Sequence, residues 1–95
     1  MPSDAQEYMR GLEAAHLIVL ALLDQSVHVV EWSWRDYARQ TSDDERQVLV
    51  NRFDSIDEQP RAVELRSRAS NAIDRLVDKQ ARVFLHKFLD DEGSV

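Results

Sequence analysis

The sequence predicts an all-α fold, a small helical bundle with two long helices and a short helix between them. Glycine and proline occur only twice each in 95 residues, and of these only Gly11 and Pro60 lie away from the ends. A β-rich chain of this length would need several turns, and turns favour such residues. Apolar residues instead recur at steps of three and four, the period of one helix face. We therefore expect a single helical domain over residues 1–95, with an acidic tail at 91–95 that frays.

The first long helix is predicted over about residues 4–40. Within it the segment 17–23 is apolar on every side, so we expect neighbouring structure to cover it all round. A continuous helix of this length would span about 54 Å, far more than the width of a compact chain of this size. It therefore either breaks near residues 24–26, where helix propensity drops, or projects and pairs with a second chain. We favour pairing, which predicts a homodimer.

The short helix is predicted over about residues 43–56. Ser42 and Glu45 have the spacing of a capping box, and two aspartates between them place negative charge at the start of the helix. The acidic stretch 57–59 then forms a loop.

The second long helix is predicted over about residues 60–90, with Pro60 in its first turn and a soft spot for a kink at residues 70–71. Residues 60–89 hold seven basic and three acidic residues, whereas residues 1–59 hold five arginines against twelve acidic residues. The acidic first part and the basic second part can attract each other, either within one chain or across a dimer. The basic residues are scattered round the helix and interleaved with acids, so we expect a solvated face there and not nucleic-acid binding.

No stretch of the sequence carries a catalytic or cofactor signature, so we expect neither enzymatic activity nor a cofactor. Glu13 and His16 have the spacing with which carboxylate and imidazole ligands share a metal on a helix, and His28 and Glu31 repeat it in reverse. The two pairs do not converge on a straight helix. We expect His16 to be a half-buried core or interface residue and no metal to be bound.

The composition indicates a cytoplasmic protein without a membrane anchor. There is no cysteine to form disulfides, and the first residues lack the features of a secretory leader. The longest apolar run, residues 17–23, is far shorter than the about 20 residues that cross a bilayer. Hydrophobic residues are 43% and charged residues 32%, which is a globular composition.

The segment around two tryptophans is the most informative about function. In a helix Trp32 and Trp34 point about 200° apart, so one core cannot easily cover both. Trp34 belongs to the core stripe, and Trp32 either stacks half-exposed on a neighbouring arginine or anchors a protein interface. The candidate interface residues are Val29, Trp32, Trp34, Arg35 and Tyr37. The predicted self-association core comprises His16, Val19, Leu20, Leu23, Val27 and Val30.

These observations predict a non-enzymatic regulator or inhibitor, of the immunity, antitoxin or anti-defence type, that occupies the surface of a partner protein. One alternative is a bundle that binds a small molecule or a metal near Glu13, His16 and Leu20. A third is a nucleic-acid-associated factor that uses the basic helix at 60–90.

Overall fold

The computed structural model describes residues 4–39 and 42–92 and consists of five α-helices joined by short connections. The helices are α1 (Asp4–Leu23), α2 (Val27–Arg39), α3 (Asp43–Asp57), α4 (Ala62–Asp74) and α5 (Lys79–Glu92). No β-strand occurs in the described ranges, and their radius of gyration is 13.0 Å. The all-α prediction is confirmed. The structure has five helices where three were predicted, because each of the two predicted long helices is divided in two.

The first division follows Leu23, at the place where the sequence allowed a break. Gln25 adopts a left-handed conformation with φ 58°. The Gln25 N–H donates to the Leu22 carbonyl at 3.1 Å, and the Ser26 N–H donates to the Ala21 carbonyl at 2.8 Å. This is the Schellman pattern of helix termination, which usually has glycine where this chain has Gln25. The prediction of one long helix over about 4–40 is therefore wrong, and the alternative of a break near 24–26 is confirmed. The terminating residue carries no glycine signal that would have decided between the two.

The second division lies at residues 75–78, about one turn beyond the predicted soft spot at 70–71, which stays helical within α4. The Asp78 carboxylate accepts a hydrogen bond from the Ala81 N–H at 3.1 Å and so caps α5. The Arg82 guanidinium donates to the Leu76 carbonyl at 2.6 Å. A residue from α2 completes the turn, since the Val77 N–H donates to the Glu31 carboxylate.

The short helix agrees with its prediction within one residue, and Ser42 occupies the N-cap position. The capping box differs in detail. The Ser42 hydroxyl donates to Oε1 of Glu45 at 3.1 Å, and no side-chain cap bond to the helix backbone is formed. At the other end of the chain α5 continues through Glu92, and residues 93–95 of the predicted frayed tail lie outside the described residues.

The hydrophobic core is built around α1, which packs against α2, α3 and α4, while α5 packs against α3 and α4. Ala15, Ile18 and Leu22 are fully buried on the inner side of α1. Leu17 and Leu20, on its outer side, remain 43% and 50% exposed. The segment 17–23 is therefore covered on one side and open on the other. None of the described helices is both long and apolar enough to cross a membrane.

Candidate interaction surface

Four exposed apolar side chains lie together on the outer side of α1 and α2. Leu17, Leu20 and Val29 line one shallow depression between the two helices. Trp32 follows Val29 by three residues on the same side of α2 and is 69% exposed. We call these four residues the α1–α2 face. The three-residue connection after Leu23 and the close packing of α1 on α2 make them one helical hairpin, which holds the face in a fixed shape.

Trp32 is the largest and most exposed side chain of the α1–α2 face. A tryptophan side chain buries about 150–250 Å² in a core or interface, so 69% exposure leaves roughly 100–170 Å² in contact with water. Covering that area would contribute roughly 3–4 kcal/mol at about 25 cal/mol per Å². A single residue could therefore supply a large part of the free energy of binding to another protein.

Charged residues surround the α1–α2 face and give it two distinct edges. Glu13 is exposed on α1 and Asp24 is exposed in the turn that follows it, on either side of the two leucines. His28 and Arg35 are exposed on α2. The edge along α1 is therefore acidic, and the edge along α2 carries the Arg35 cation.

Beyond the apolar part, the groove between α1 and α2 continues into a charged end. Glu7, Arg10, Asp36 and Arg39 line a second depression there. Arg39 and Asp36 form an ion pair at 3.9 Å within α2. The groove thus changes from apolar beside the 24–26 turn to charged near the far ends of the two helices.

The five candidate interface residues lie on two sides of α2. Val29, Trp32 and Arg35 are exposed, whereas Trp34 and Tyr37 are buried within the chain. The Trp34 and Tyr37 rings stack at a centroid distance of 5.6 Å and both pack against Phe84 of α5. Burial, with a smaller contribution from a neighbouring glutamate, raises the pKa of Tyr37 to about 12. The first three of these residues are accessible to a partner protein.

The residues of the predicted self-association core lie mostly inside the chain. Val19 and Val30 are buried, and Leu23 and Val27 are partly buried against the same core. Leu20 belongs to the α1–α2 face. Leu17 belongs there too; it is part of the apolar segment 17–23 but not of the six predicted core residues, and its position three residues before Leu20 on one helix face was the available signal.

His16 contacts α3 and not a metal-binding partner. Its Nδ1 accepts a hydrogen bond from Nε of Arg52 at 2.8 Å, which places a guanidinium cation beside the imidazole. The Glu31 carboxylate accepts the Val77 N–H, and Glu13 is exposed. Throughout the part of the chain that the structure describes, no three potential metal ligands come together.

Glu45 is a buried acid that the sequence reasoning assigned only to a capping box. Its side chain is 1% exposed, and its Oε2 has no hydrogen-bond partner. Burial raises the pKa of Glu45, and the hydrogen bond from Ser42 partly opposes that rise. Glu45 lies on α3, away from the α1–α2 face, and the function proposed below does not use it.

Comparison of the chain with models of known protein families, with curated protein sequences and with solved structures gives no match. The surface itself therefore provides the evidence about function.

Proposed function

We propose that this protein is a non-enzymatic regulator or inhibitor that binds another protein and occupies part of its surface through the α1–α2 face. One observation carries the proposal. Leu17, Leu20 and Val29 line one depression between two packed helices, and the exposed Trp32 lies one turn along α2 from Val29. A contiguous apolar patch with a polar rim is typical of a protein-binding site.

The composition of the α1–α2 face supports a protein as the ligand. Trp32 and Arg35 are of the residue types that dominate binding energy at protein interfaces, and the leucines and Val29 provide an apolar surround. Both helices are anchored in the core by their inner sides, so the face loses little conformational freedom when it binds. The depression is shallow and open, which suits a convex protein surface better than an enclosed small molecule.

Charge indicates the kind of partner. The chain has a net charge of −6, and Glu13 and Asp24 make the α1 edge of the face acidic. Long-range attraction and the edge of the contact both favour a protein with an apolar patch bordered by basic residues. Immunity proteins and antitoxins act by such occupation of a partner's surface, and we place this chain in that functional class. Self-association is a second use that we propose for the same surface.

The proposal is tested by affinity capture from the native host, with the bound proteins quantified by mass spectrometry. Trp32→Ala should lose a specific partner that the wild-type chain retains. Val83→Ala, which truncates a 61% exposed apolar residue on α5, is the matched control and should retain it. Direct titration of the purified partner should then show a loss of affinity of at least about 30-fold for Trp32→Ala, as expected for a residue worth more than about 2 kcal/mol. Equal binding by the wild type and both variants would refute the proposal.

A further inference from the structure

We propose that in the free protein the α1–α2 face is covered by a second copy of this chain, with α1 of each copy packed over α2 of the other. The two hairpins would then form a four-helix bundle in which every helix is antiparallel to both of its neighbours. The inference uses the surface named in the proposed function but does not depend on the target protein. It starts from the position of the apolar residues on both helices of one hairpin.

Two-fold symmetry leaves two simple ways to place this face on a copy of itself. With the axis parallel to the helices, α1 lies over α2 of the partner subunit. With the axis across the helices, α1 lies antiparallel over α1 of the partner subunit. Both arrangements bring leucines and Trp32 into the contact, so burial of apolar surface does not choose between them.

The charges on the rim of the α1–α2 face favour one of the two arrangements over the other. Glu13 and Asp24 lie at nearly equal distances from the Leu17–Leu20 pair, Glu13 before it on α1 and Asp24 after it in the turn that follows α1. An antiparallel pairing of α1 with itself would therefore bring Glu13 close to Asp24 of the partner subunit. Two like charges would then face each other on both sides of the symmetry axis, which disfavours this arrangement.

The arrangement of α1 over α2 brings opposite charges together. In the hairpin Leu20 and Val29 lie at the same level along the helix axes, because they line a common depression. Arg10 and Asp36 share a level for the same reason. Glu13 is therefore level with Arg35. Rotation about an axis parallel to the helices keeps that level, so Glu13 faces Arg35 of the partner subunit.

By symmetry the contact between Glu13 and Arg35 occurs twice in the dimer, once on each side of the axis. In the same register Asp24 comes level with the 24–26 turn of the partner subunit and does not face the partner's Glu13. The apolar residues of both copies are then enclosed between two pairs of opposite charge. Charge complementarity of the face with itself is the reason for naming a second copy as its occupant.

The extent of the face predicts a weak dimer. A standard interface buries about 800 Å² on each partner, and four side chains with a charged rim provide less apolar surface than that. The dimer should therefore dissociate on dilution and exchange readily. Because the target protein would use the same residues, dimerisation and target binding exclude each other, and the dimer keeps Trp32 from water until a target displaces the second copy.

The oligomeric state tests the inference, measured by sedimentation equilibrium over a range of concentrations. The wild-type mass should rise from one chain towards two as the concentration increases. Leu20→Glu should remain a monomer, and Trp32→Ala should weaken association. Val83→Glu, on an exposed apolar residue outside the face, should associate like the wild type. Circular dichroism of each variant checks that it is folded. A wild-type chain that is monomeric at all concentrations would overturn the inference.

The arrangement of the helices is tested by exchange of charges. Glu13→Arg and Arg35→Glu, each alone, should weaken the dimer about tenfold, since each change creates two like-charge contacts per dimer. The double variant should return to within about threefold of the wild type. A dimer in which the double variant is no better than the single ones would contradict the packing of α1 over α2.

The two proposals fail in distinguishable ways. A monomeric wild-type chain whose target binding depends on Trp32 would overturn the dimer and leave the proposed function standing. If dimerisation depends on Leu20 but the affinity for the target is unchanged by Trp32→Ala, the proposed function is overturned and the dimer stands.

Discussion

Two kinds of exposed apolar residue occur in the part of the chain that the structure describes, and they differ in arrangement more than in exposure. Val63 and Val77 are 86% and 82% exposed, more than any residue of the α1–α2 face. Yet each belongs to a different part of the chain, and Val63 lies in a depression lined largely by polar and charged residues. On the α1–α2 face, by contrast, apolar residues of two helices adjoin. Contiguity across packed helices, and not the exposure of single residues, marks the candidate docking surface.

The largest expected effect is a difference in the free energy of unfolding between variants on the two sides of α1. Leu22→Ala should lower the free energy of unfolding by about 3 kcal/mol, because Leu22 is fully buried and its truncation leaves a cavity. Leu20→Ala should lower it by less than about 1 kcal/mol in the dilute chain, since half of the side chain already contacts water. Urea unfolding at low concentration measures both values. Similar losses for the two variants would mean that Leu20 is a core residue of the single chain.

A smaller effect concerns the turn that holds the two halves of the α1–α2 face together. Gln25 is in a left-handed conformation, which costs a residue with a β-carbon about 1 kcal/mol and glycine almost nothing. Gln25→Gly should therefore raise the free energy of unfolding by about 0.5–1 kcal/mol. Gln25→Ala keeps the β-carbon and serves as the control, with no comparable gain. Destabilisation by glycine in urea unfolding would contradict the assigned Schellman termination.

The smallest expected effect on stability comes from Glu45, an acid buried in the interior, in contrast to the apolar groups exposed on the α1–α2 face. Because the pKa of Glu45 is raised on folding, the fold disfavours its ionised form. The resulting loss of stability is absent below the reference value of 4.5 and develops as the pH rises through the raised pKa. The free energy of unfolding of Glu45→Gln should therefore exceed that of the wild type, and the difference should grow as the pH rises towards neutral. The difference should be small, because the hydrogen bond from Ser42 opposes the rise in the pKa of Glu45. Parallel stability curves from urea unfolding across this pH range would disprove the burial penalty.

The sequence was sufficient where the signal is local. The acidic start at Ser42 marked the beginning of α3, and the opposed directions of Trp32 and Trp34 placed one inside and one outside. The drop in helix propensity at 24–26 indicated where the first break could lie but not that it occurs, and no local signal indicated the second break at 75–78. The position of Gln25 is usually occupied by glycine, so the sequence carries no glycine signal of helix termination there. The spacing of Asp78 and Arg82 is that of an ion pair within one helix, whereas in the structure Asp78 caps the start of α5.

The candidate site was only partly predictable for a different reason. Apolar residues such as Val19 and Val30 have the same pattern whether another helix of the chain or a second chain covers them. The structure brings α2, α3 and α4 onto α1, which buries these two residues within the chain and leaves Leu17 and Leu20 outside. Tertiary packing, which periodicity does not specify, decided which apolar residues form the surface.

The most direct test of the claim that another chain covers the α1–α2 face is the fluorescence of Trp32 as the protein concentration rises. The chain has two tryptophans, so Trp34→Phe, a substitution within the aromatic cluster, leaves Trp32 as the single reporter. We predict that its emission moves to shorter wavelength and its quenching by iodide decreases with concentration, and that Leu20→Glu in the same background abolishes both changes. Emission that remains that of a water-exposed tryptophan at every concentration would contradict the account.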